Sequence, residues 1–282
     1  MDKKLNWDII DKIILEALKE DVGSGDVTSE AMQVNLNAKA EIIAKQDGFL
    51  SGINIARRVF ELYDESLELE ILKKDGDKII TGECLLKIKG QGSSILTAER
   101  TALNILGRMS GIATLTAKFV DKTQGTSCNI YDTRKTMPNL RILDKYAVTC
   151  GGGKNHRYAL YDMILIKENH IRWAGGLEKA LDSAMEYAQK RDLDIEIEVT
   201  NLDEYKLAAK YPIKMIMLDH FNSQELQAAV AHPHGDILLE ASGDVNLQTV
   251  AGIAKTGVDV VSVGALTHSV PNFDFSLLFY EA

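Results

Sequence analysis

The stretch IEIEVTNLDEYKLAAKYPIKMIMLDH, residues 195–220, contains the pattern that decides the fold of this chain. Its first apolar run, IEIEVT, is followed by the helical pattern LDEYKLAAK and then by a second apolar run, MIMLDH. A strand, a helix and a second strand in this order are typical of a βαβ unit, whose two strands run parallel in one sheet. The stretch therefore predicts a parallel α/β fold.

The same alternation continues on both sides of this stretch, from about residue 125 onward. Further strand candidates are CNIYDTR, MILIKE, DILLEAS and VDVVSVGA, and helical segments such as LEKALDSAMEYAQKR and SQELQAAVA separate most of them. Six parallel strands with intervening helices fit two architectures, an open doubly wound sheet and a barrel. The strand pattern by itself leaves both architectures open.

The part of the chain before residue 125 has a mixed order of helices and strands. It contains an opening helix at about 6–20, the strand candidate AKAEIIAKQDGFL, a helix near 53–63, and short strands with turns at Asp75-Gly76 and Thr81-Gly82. A long helical pattern starts near Ser94. Within it, Gly107 and Gly111 are expected either to bend the helix or to let another segment pack closely.

Composition and charge argue against several classes of function. The chain has 282 residues, of which 45% are hydrophobic, and this suffices for one large domain or two smaller ones. Its net charge of -9 argues against nucleic acid as a partner, because phosphate backbones need a basic surface. No apolar stretch is long enough to span a membrane. The N-terminal segment MDKKLNWDIIDKIILEALKED carries acidic residues throughout, unlike a signal peptide.

The three cysteines have no CxxC spacing and are interpreted as reduced packing residues. Together with the absence of targeting signals, this predicts a cytoplasmic protein.

Polar residues or glycine turns follow most of the predicted strands at the points where the strands end. These are Arg134-Lys135, Lys167 to His170, Asp219, Glu240 to Gly243, and Val263-Gly264. A single lysine or aspartate in such a place is typically a solvated or helix-capping residue. The carboxyl ends of parallel strands, however, meet at one edge and build the active sites of α/β proteins. A whole set at this edge therefore favours function over coincidence.

Two of the carboxylates stand out by their spacing. Glu196 and Glu198 alternate with apolar residues, so they share the strand face that a barrel would turn inward. Paired carboxylates are costly to bury, which favours a functional role. Glu198 and Asp219 suit a hard divalent cation or the hydroxyls of a ribose. His232 and His234 form an HxH pattern but lie in a predicted loop without further metal ligands, and are interpreted as solvated.

A second group of candidate residues is cationic, although the chain is acidic. Its members flank the glycine run 151–153 or end a strand, and they are Arg134, Lys135, His156, Arg157 and Lys167. Such groups bind carboxylates or phosphates, arginine in bidentate fashion. The segments ASGD and VGA resemble phosphate-binding turns. Together the residues predict a site for a sugar phosphate with magnesium and for a small acid that carries carboxylates.

Several longer motifs resemble one enzyme family. They are DTRKTMPNLRILDKYAV, GGGKNHRYALYDMILIKENHI, EIEVTN, MLDH, LLEASG and VSVGALTHSV, with EDVGSGDVTSE and LTAERTALNILGRMSGIAT upstream. In this order they cover nearly the whole chain and resemble quinolinate phosphoribosyltransferase, also called carboxylating nicotinate-nucleotide pyrophosphorylase. The resemblance implies an α/β protein with an N-terminal α/β sandwich domain (1–124), an incomplete parallel α/β, TIM-like barrel (125–270), and a C-terminal tail (271–282) that packs back on the first domain.

The resemblance also implies an activity and an assembly. Such a transferase converts quinolinate and phosphoribosyl pyrophosphate to nicotinate mononucleotide, pyrophosphate and CO2 with Mg2+, in de novo NAD biosynthesis. It implies a homodimer in which the N-terminal domain of one subunit closes the barrel of the other, and it leaves open whether dimers form hexamers. In such a dimer Arg100, within AERTALN, would reach the quinolinate of the neighbouring subunit.

By position, the resemblance assigns a role to each candidate residue. The catalytic residues would be Lys135, Lys167, Glu198 and Asp219. Those that hold the carboxylates would be Arg134, His156, Arg157 and Lys167, with Lys135 and Thr133 near the same substrates. Glu198 and Asp219 would face magnesium and the ribose hydroxyls, with the metal bound directly, through water or through those hydroxyls. The 5′-phosphate would lie on Ser242, Gly243, Val263 and Gly264.

Three residues depart from the usual pattern of the family. Asn139 stands where glycine usually follows the proline, His220 where asparagine is common, and Asp244 where glycine or asparagine is common. Asp244 is the most consequential, because a carboxylate beside a phosphate site repels the phosphate. These departures concern the phosphate loops rather than the reaction.

Other functions remain as alternatives. The nearest is a related phosphoribosyltransferase for another acid such as nicotinate, or the molybdenum-transport-associated paralogue, although the NHR and IKENH blocks count against the paralogue. A Schiff-base aldolase or decarboxylase would use Lys167, but the neighbouring arginines suit anion binding better than lysine desolvation. A non-catalytic binding protein is disfavoured by the inward-facing carboxylates.

Overall fold

The computed structural model describes residues 5–32, 34 and 36–280 of the chain. The first four residues of the expected N-terminal domain and the last two of the expected tail lie outside the described residues. The chain folds into two compact units. The first unit comprises the chain up to Ala117, Thr136–Gly152 and the chain from Leu266 onward, and the second comprises Lys118–Lys135 and Gly153–Ala265.

The helices of the described residues, in chain order, are α1 (Trp7–Val22), α2 (Val27–Met32), α3 (Ile53–Tyr63), α4 (Gly92–Lys122), α5 (Arg141–Cys150), α6 (Glu168–Ala174), α7 (Leu177–Arg191), α8 (Leu202–Ala208), α9 (Ser223–Ala231), α10 (Val250–Ala254) and α11 (Ala265–His268). None of them combines the length and the apolar composition that a bilayer crossing requires.

The strands are β1 (Asn37–Ala44), β2 (Gly48–Phe49), β3 (Glu68–Ile71), β4 (Lys78–Ile79), β5 (Cys84–Gln91), β6 (Asn129–Tyr131), β7 (Ile164–Ile166), β8 (Ile195–Val199), β9 (Met215–Asp219), β10 (Leu238–Ser242), β11 (Val260–Ser262) and β12 (Phe275–Tyr280). All six strands predicted after residue 125 are confirmed, each within its predicted segment.

The first unit is built around a four-stranded antiparallel sheet in the order β12-β1-β5-β3. In β1 every second side chain is buried, namely Ala40, Ile42 and Ala44, as expected for a strand with one face on the core. Helix α3 packs against β3 and β5 through its buried apolar face. The pairing of β12 with β1 places residues 275–280 of the C-terminal segment in the sheet of this unit.

Helix α4 is continuous through Gly107 and Gly111, the two glycines that the sequence singled out. A Cβ atom on Gly111 would lie 2.3 Å from the carbonyl oxygen of Pro271, and one on Gly107 would lie 2.9 Å from that of Phe273. Any larger residue would collide with this backbone, so close packing, one of the two predicted reasons for these glycines, is confirmed.

The segment Thr136–Gly152, which the sequence placed within the second domain, belongs to the first unit in the structure. Asp144 of α5 is fully buried, and its two carboxylate oxygens accept hydrogen bonds of 2.8 and 2.7 Å from Arg108 of α4. The Tyr146 hydroxyl donates a 2.8 Å hydrogen bond to Asp75. These long-range polar contacts, together with the packing of α5, attach the segment to the first unit.

The second unit contains a six-stranded parallel sheet in the order β6-β11-β10-β9-β8-β7. Helices α7, α8, α9 and α10 lie between successive strands along the chain, as expected for βαβ units. Within the described residues β6 and β7 do not pair with each other, so the sheet stays open between its first and last strands. The expected α/β class, an antiparallel-sheet domain followed by an incomplete parallel barrel, is confirmed.

The cysteines are free thiols. Burial is the main cause that raises the pKa of Cys84 and Cys150 to about 11 and that of Cys128 to about 12. At neutral pH these thiols are therefore protonated and weakly nucleophilic, which agrees with their interpretation as packing residues.

Candidate functional site

The register of the parallel sheet brings the ends of its strands to one edge. Ile166 pairs with Ile197, so the residues that follow them, Lys167 and Glu198, lie side by side. In the pair of β9 and β10, Asp219 lies directly opposite Ser242. At the other end of the sheet, the Val263 N–H group after β11 donates a 2.9 Å hydrogen bond to the Tyr131 carbonyl of β6. The expected clustering of strand-end residues at the carboxyl edge therefore follows from the register.

Lys167 and Glu198 form an ion pair at this edge, between the Nζ and Oε2 atoms. The side chain of Glu198 is 14% exposed and that of Lys167 is 43% exposed, so the pair is partly open to solvent. The backbone N–H of Lys167 donates a 3.0 Å hydrogen bond to Nδ1 of His170 at the start of α6. His170 therefore fixes the point where the lysine leaves its strand.

Arg134 and Arg157 lie close to each other and are only partly paired. Burial lowers the pKa of Arg157 below its ordinary value, and the neighbouring charge of Arg134 lowers it further. Arg157 donates a 3.2 Å hydrogen bond to the carbonyl of Met163. Within the described residues, Nε of Arg134 is buried without a hydrogen-bond partner. Two adjacent guanidinium groups with a buried, unused donor constitute a site that attracts an anion.

The neighbouring segment contributes Lys135 and Thr133 to the same edge. The Lys135 backbone N–H donates a 3.0 Å hydrogen bond to the Thr133 hydroxyl, and the Lys135 side chain is exposed. The threonine therefore orders the turn that presents the lysine.

His156 points toward two buried carboxylates. Its Nε2 atom lies 2.9 Å from Oε2 of Glu196 and 3.3 Å from Oε2 of Glu240, and both glutamates are fully buried. Its Nδ1 atom accepts a 2.7 Å hydrogen bond from the backbone N–H of Arg157, and its own backbone N–H donates to Asp132 at 2.8 Å. Both ring nitrogens of His156 are thus in contact with protein groups.

These contacts determine where the protons of the cluster lie. Burial alone would lower the pKa of His156, but Glu196 and Glu240 outweigh it and raise the pKa to about 10. A second ring proton, however, would occupy Nδ1 and displace the bond from Arg157. Burial first, and the charge of Glu240 next, raise the pKa of Glu196 to about 7. Because Nδ1 accepts from Arg157, we place the ring proton on Nε2, the nitrogen that faces the two glutamates.

The possible ligand atoms of His156, Glu196 and Glu240 also lie within 4.8 Å of one another, but with a proton on Nε2 and with Nδ1 accepting from Arg157 the ring offers no lone pair to a metal ion. The metal ligands expected from the sequence, Glu198 and Asp219, lie nearer the surface. Within the described residues His232 and His234 do not belong to a metal-binding group of this size.

Asp219 and Gly243 lie at the other side of the edge, around the ring of His220. Nδ1 of His220 is 2.9 Å from Oδ2 of Asp219, and Nε2 is 3.6 Å from Oδ2 of the exposed Asp244. These two carboxylates raise the pKa of His220. A Cβ atom on Gly243, whose φ is 101°, would lie 2.7 Å from the imidazole ring, so this position requires glycine.

The three residues that the resemblance marks as departures, Asn139, His220 and Asp244, share an unusual backbone conformation. Their φ values are 65°, 57° and 47° respectively, in the left-handed region. Glycine adopts this region freely, and asparagine, aspartate and histidine are the side chains that enter it most often. The substitutions therefore keep to residue types that these turns accept.

Arg100 belongs to the first unit, on α4, and its side chain is 65% exposed. Its guanidinium lies 4.0 Å from the Glu99 carboxylate. The sequence pattern missed Glu240 and Asp132 as partners of His156. Glu240 gave a signal as the charged residue of an apolar strand, but nothing in the sequence related it to Glu196.

Comparison with known proteins connects this geometry to a family. The model of the quinolinate phosphoribosyl transferase N-terminal domain matches residues 26–110, and the model of the C-terminal domain matches residues 112–278. The chain belongs to the quinolinate phosphoribosyl transferase family. Both matches together cover the antiparallel sheet up to residue 278 and the whole parallel sheet, so the resemblance inferred from the motifs is confirmed.

Individual members of the family are similar in sequence or structure to this chain along nearly its full length. A quinolinate phosphoribosyltransferase (decarboxylating) 1b of Nicotiana tabacum is 42% identical over 284 residues, which cover 94% of this chain and 81% of that protein. A probable nicotinate-nucleotide pyrophosphorylase (carboxylating) of Bacillus subtilis (strain 168) is 37% identical over 266 residues, 94% of this chain and 92% of that protein. The structure of the nicotinate-nucleotide pyrophosphorylase from Francisella tularensis has a TM-score of 0.94 at 39% identity, with 98% of each chain covered.

Membership places the protein among decarboxylating phosphoribosyltransferases. The roles of individual residues stay predictions.

Proposed function

We propose that this protein transfers the phosphoribosyl group of phosphoribosyl pyrophosphate to quinolinate and releases pyrophosphate and CO2, giving nicotinate mononucleotide in de novo NAD biosynthesis. The observation that carries the proposal is the match of both family domains along the chain, at 42% identity to a named quinolinate phosphoribosyltransferase. The geometry of the carboxyl edge supports the same substrates.

The cationic side of the edge suits a diacid. Arg134 has an unused buried donor, Arg157 lies beside it, and Lys167 directly follows β7 at the same edge. One carboxylate would leave part of this charge uncompensated, whereas the two of quinolinate match it. His156 lies against the same group with its ring turned toward Glu196 and Glu240, so in this proposal its contribution to binding is indirect.

The acidic side of the edge suits the phosphoribosyl group. Glu198 and Asp219 end neighbouring strands and offer carboxylate oxygens, which are the ligands that magnesium and ribose hydroxyls accept. We propose that these two residues hold magnesium, directly or through water or hydroxyls, and when bound it supplies positive charge beside the pyrophosphate. The 5′-phosphate would lie on the turns Ser242-Gly243 and Val263-Gly264, and the Val263 N–H group would take no part because it already donates to the Tyr131 carbonyl at 2.9 Å.

The residues act by positioning and charge rather than by covalent catalysis. The pyridine nitrogen attacks the anomeric carbon as the bond to pyrophosphate breaks, so positive charge develops on the ribosyl carbon, where nearby carboxylates stabilise it. The C2–carboxylate bond then breaks, CO2 leaves, and the electron pair on C2 takes up a proton. Arg134, Arg157 and Lys167 would hold the ring in place during both steps.

Assembly and location belong to the same proposal. The exposed Arg100 on α4 would bind quinolinate in the site of a second subunit, which makes a homodimer the active form. A cytoplasmic location stays a prediction.

A single assay tests the proposal. Purified protein is mixed with quinolinate, and the loss of quinolinate absorbance is followed with and without phosphoribosyl pyrophosphate, magnesium or a chelator. We expect turnover only when quinolinate, phosphoribosyl pyrophosphate and magnesium are all present, with nicotinate mononucleotide and CO2 as products. Turnover without phosphoribosyl pyrophosphate, or none under any condition, would reject the assignment.

A further inference from the structure

A group of buried charges lies beneath the anion-binding edge and is not used by the reaction just described. Glu196 of β8 and Glu240 of β10 are both 0% exposed, and the side chain of His156 between them is 6% exposed. Removing two carboxylates from water costs several kcal/mol, which only close partners offset. Among the described residues the carboxylate oxygens of both glutamates have no directed hydrogen bond, and Nε2 of His156 touches them as an ion-pair contact at 2.9 and 3.3 Å.

His156 connects this buried group to the edge above it. The Nε2 atom faces the glutamates, while Nδ1 on the opposite side of the ring accepts the backbone N–H of Arg157 at 2.7 Å. The backbone N–H of His156 itself donates to the fully buried Asp132 at 2.8 Å. The orientation of the ring therefore determines where the backbone of Arg157 lies.

The segment around Arg157 has little regular structure of its own. It runs beside β6 through one isolated bridge between Tyr131 and Lys154, with hydrogen bonds of 2.8 and 3.0 Å on either side of it. Beyond Lys154 the chain leaves the strand and continues as a loop to β7. A loop residue that must direct a guanidinium group needs an anchor in the core, and the ring of His156 provides one.

We propose that Glu196 and Glu240 are positioning residues for the acid substrate, which hold the His156 ring so that its Nδ1 atom fixes the backbone of Arg157. The guanidinium of Arg157 is thereby directed at the diacid, so the inference rests on the proposed function. This role needs an oxygen atom in contact with Nε2, and it does not need a negative charge at both glutamates. Glutamine should therefore substitute for either carboxylate, and alanine should not.

Substrate binding separates the two substitutions at Glu240. We expect Glu240→Ala to weaken quinolinate binding about tenfold or more, since a buried charge-assisted contact is lost. Glu240→Gln should bind within about threefold of wild type, since the amide oxygen keeps the polar contact with Nε2. The KM for phosphoribosyl pyrophosphate should stay unchanged in both. Calorimetry with quinolinate alone, and steady-state kinetics, give these values.

A control substitution separates positioning from loss of stability. Tyr205→Phe removes a buried hydrogen bond of 2.8 Å that the Tyr205 hydroxyl donates to the Ala229 carbonyl. This bond lies in the same unit as Glu240 but away from the carboxyl edge of the sheet. The substitution should lower the Tm without changing quinolinate affinity. A merely structural role for Glu240 would give the same result for Glu240→Ala, and that outcome would overturn the inference.

Two measurements on the substrate-free protein test the contact directly. Nitrogen-15 NMR of the His156 ring should show Nδ1 without a proton, and hydrogen exchange at the Arg157 amide should be fast in Glu240→Ala and protected in Glu240→Gln. A protonated Nδ1 in wild type, or equal exchange in both variants, would overturn the inference. If Glu240→Ala does not fold, the inference is tested by the protonation of Nδ1 in the wild-type His156 ring and by the quinolinate affinity of Glu240→Gln. Wild-type protein that fails to bind quinolinate refutes the proposed function instead, while these NMR results still report on the contact.

Discussion

Replacing Glu198 by glutamine tests the charge that the structure places against Lys167. Glutamine keeps the shape and the hydrogen-bonding reach of the side chain and removes one negative charge. That charge forms an ion pair with Lys167, the same lysine that is proposed to hold quinolinate. Substrate affinity and turnover should therefore change in opposite directions.

The expected gain in affinity follows from the geometry of the pair. A quinolinate carboxylate bound to Lys167 would have Glu198 on the other side of the same ammonium group. Two contacts of about 2.8 Å put the carboxylates about 5.5 Å apart, and at an effective dielectric constant of about 20 they repel by about 3 kcal/mol. Lys167 is 43% exposed, so solvent screening reduces this to about 1 kcal/mol. Quinolinate should thus bind about fivefold more tightly to Glu198→Gln.

Turnover should fall because the phosphoribosyl side loses a carboxylate. We expect a decrease of about a hundredfold, the size of effect that one preorganised electrostatic contact contributes. Calorimetry with quinolinate alone measures the affinity, and loss of quinolinate absorbance measures the turnover. The matched control is Glu186→Gln, which removes an exposed glutamate paired with Lys190 at 2.7 Å and should change neither quantity. Near-normal turnover in Glu198→Gln would refute the role of this strand, and weaker quinolinate binding would refute the electrostatic argument.

Other predictions concern specificity, assembly and stability. Quinolinate should be preferred over nicotinate by several orders of magnitude in kcat/KM, because a polar site rejects a substrate that leaves its charges unpaired; comparable turnover of nicotinate would contradict this. Inactive Arg100→Ala and Lys167→Ala proteins should regain part of the activity after subunit exchange, and proven exchange without recovery would contradict a shared site. Arg108→Ala should lower the free energy of unfolding by about 3–5 kcal/mol in denaturant titrations, because it leaves the fully buried Asp144 without its ion-pair partner. The more exposed Arg58→Ala should cost about 1 kcal/mol or less, and an equal loss in both would contradict the role of burial.

The elements of the second unit could be predicted because their signals are local. The alternation of IEIEVT and the helical spacing of LDEYKLAAK are set by residues a few positions apart, and the strands and helices formed there. The glycines of α4 gave a local signal too, although the sequence could not say whether Gly107 and Gly111 bend the helix or admit a neighbour. Only the structure identifies the neighbour as the carbonyl groups of the C-terminal segment.

The membership of Thr136–Gly152 in the first unit could not be predicted, because it depends on partners far apart in the chain. Arg108 and Asp144 are separate charges in the sequence, and each resembles an ordinary surface residue of its helix. They become one buried, bidentate pair only when α4 and α5 pack together. Sequence reasoning expected the chain to stay in the second domain after residue 125, since the strand–helix alternation begins there.

In the candidate site, the sequence likewise does not show how deeply each carboxylate is buried. The period of two in β8 correctly places Glu196 and Glu198 on one face, and it assigns both the same significance. In the structure they lie at different levels, with Glu198 near the opening beside Lys167 and Glu196 fully buried beside His156. A charge near the opening can meet substrate, whereas a buried charge can act only through the groups it touches. The position of a carboxylate along its strand thus separates residues that contact substrate from residues that hold those contacts in place, and this is the distinction that Glu198→Gln and Glu240→Gln measure.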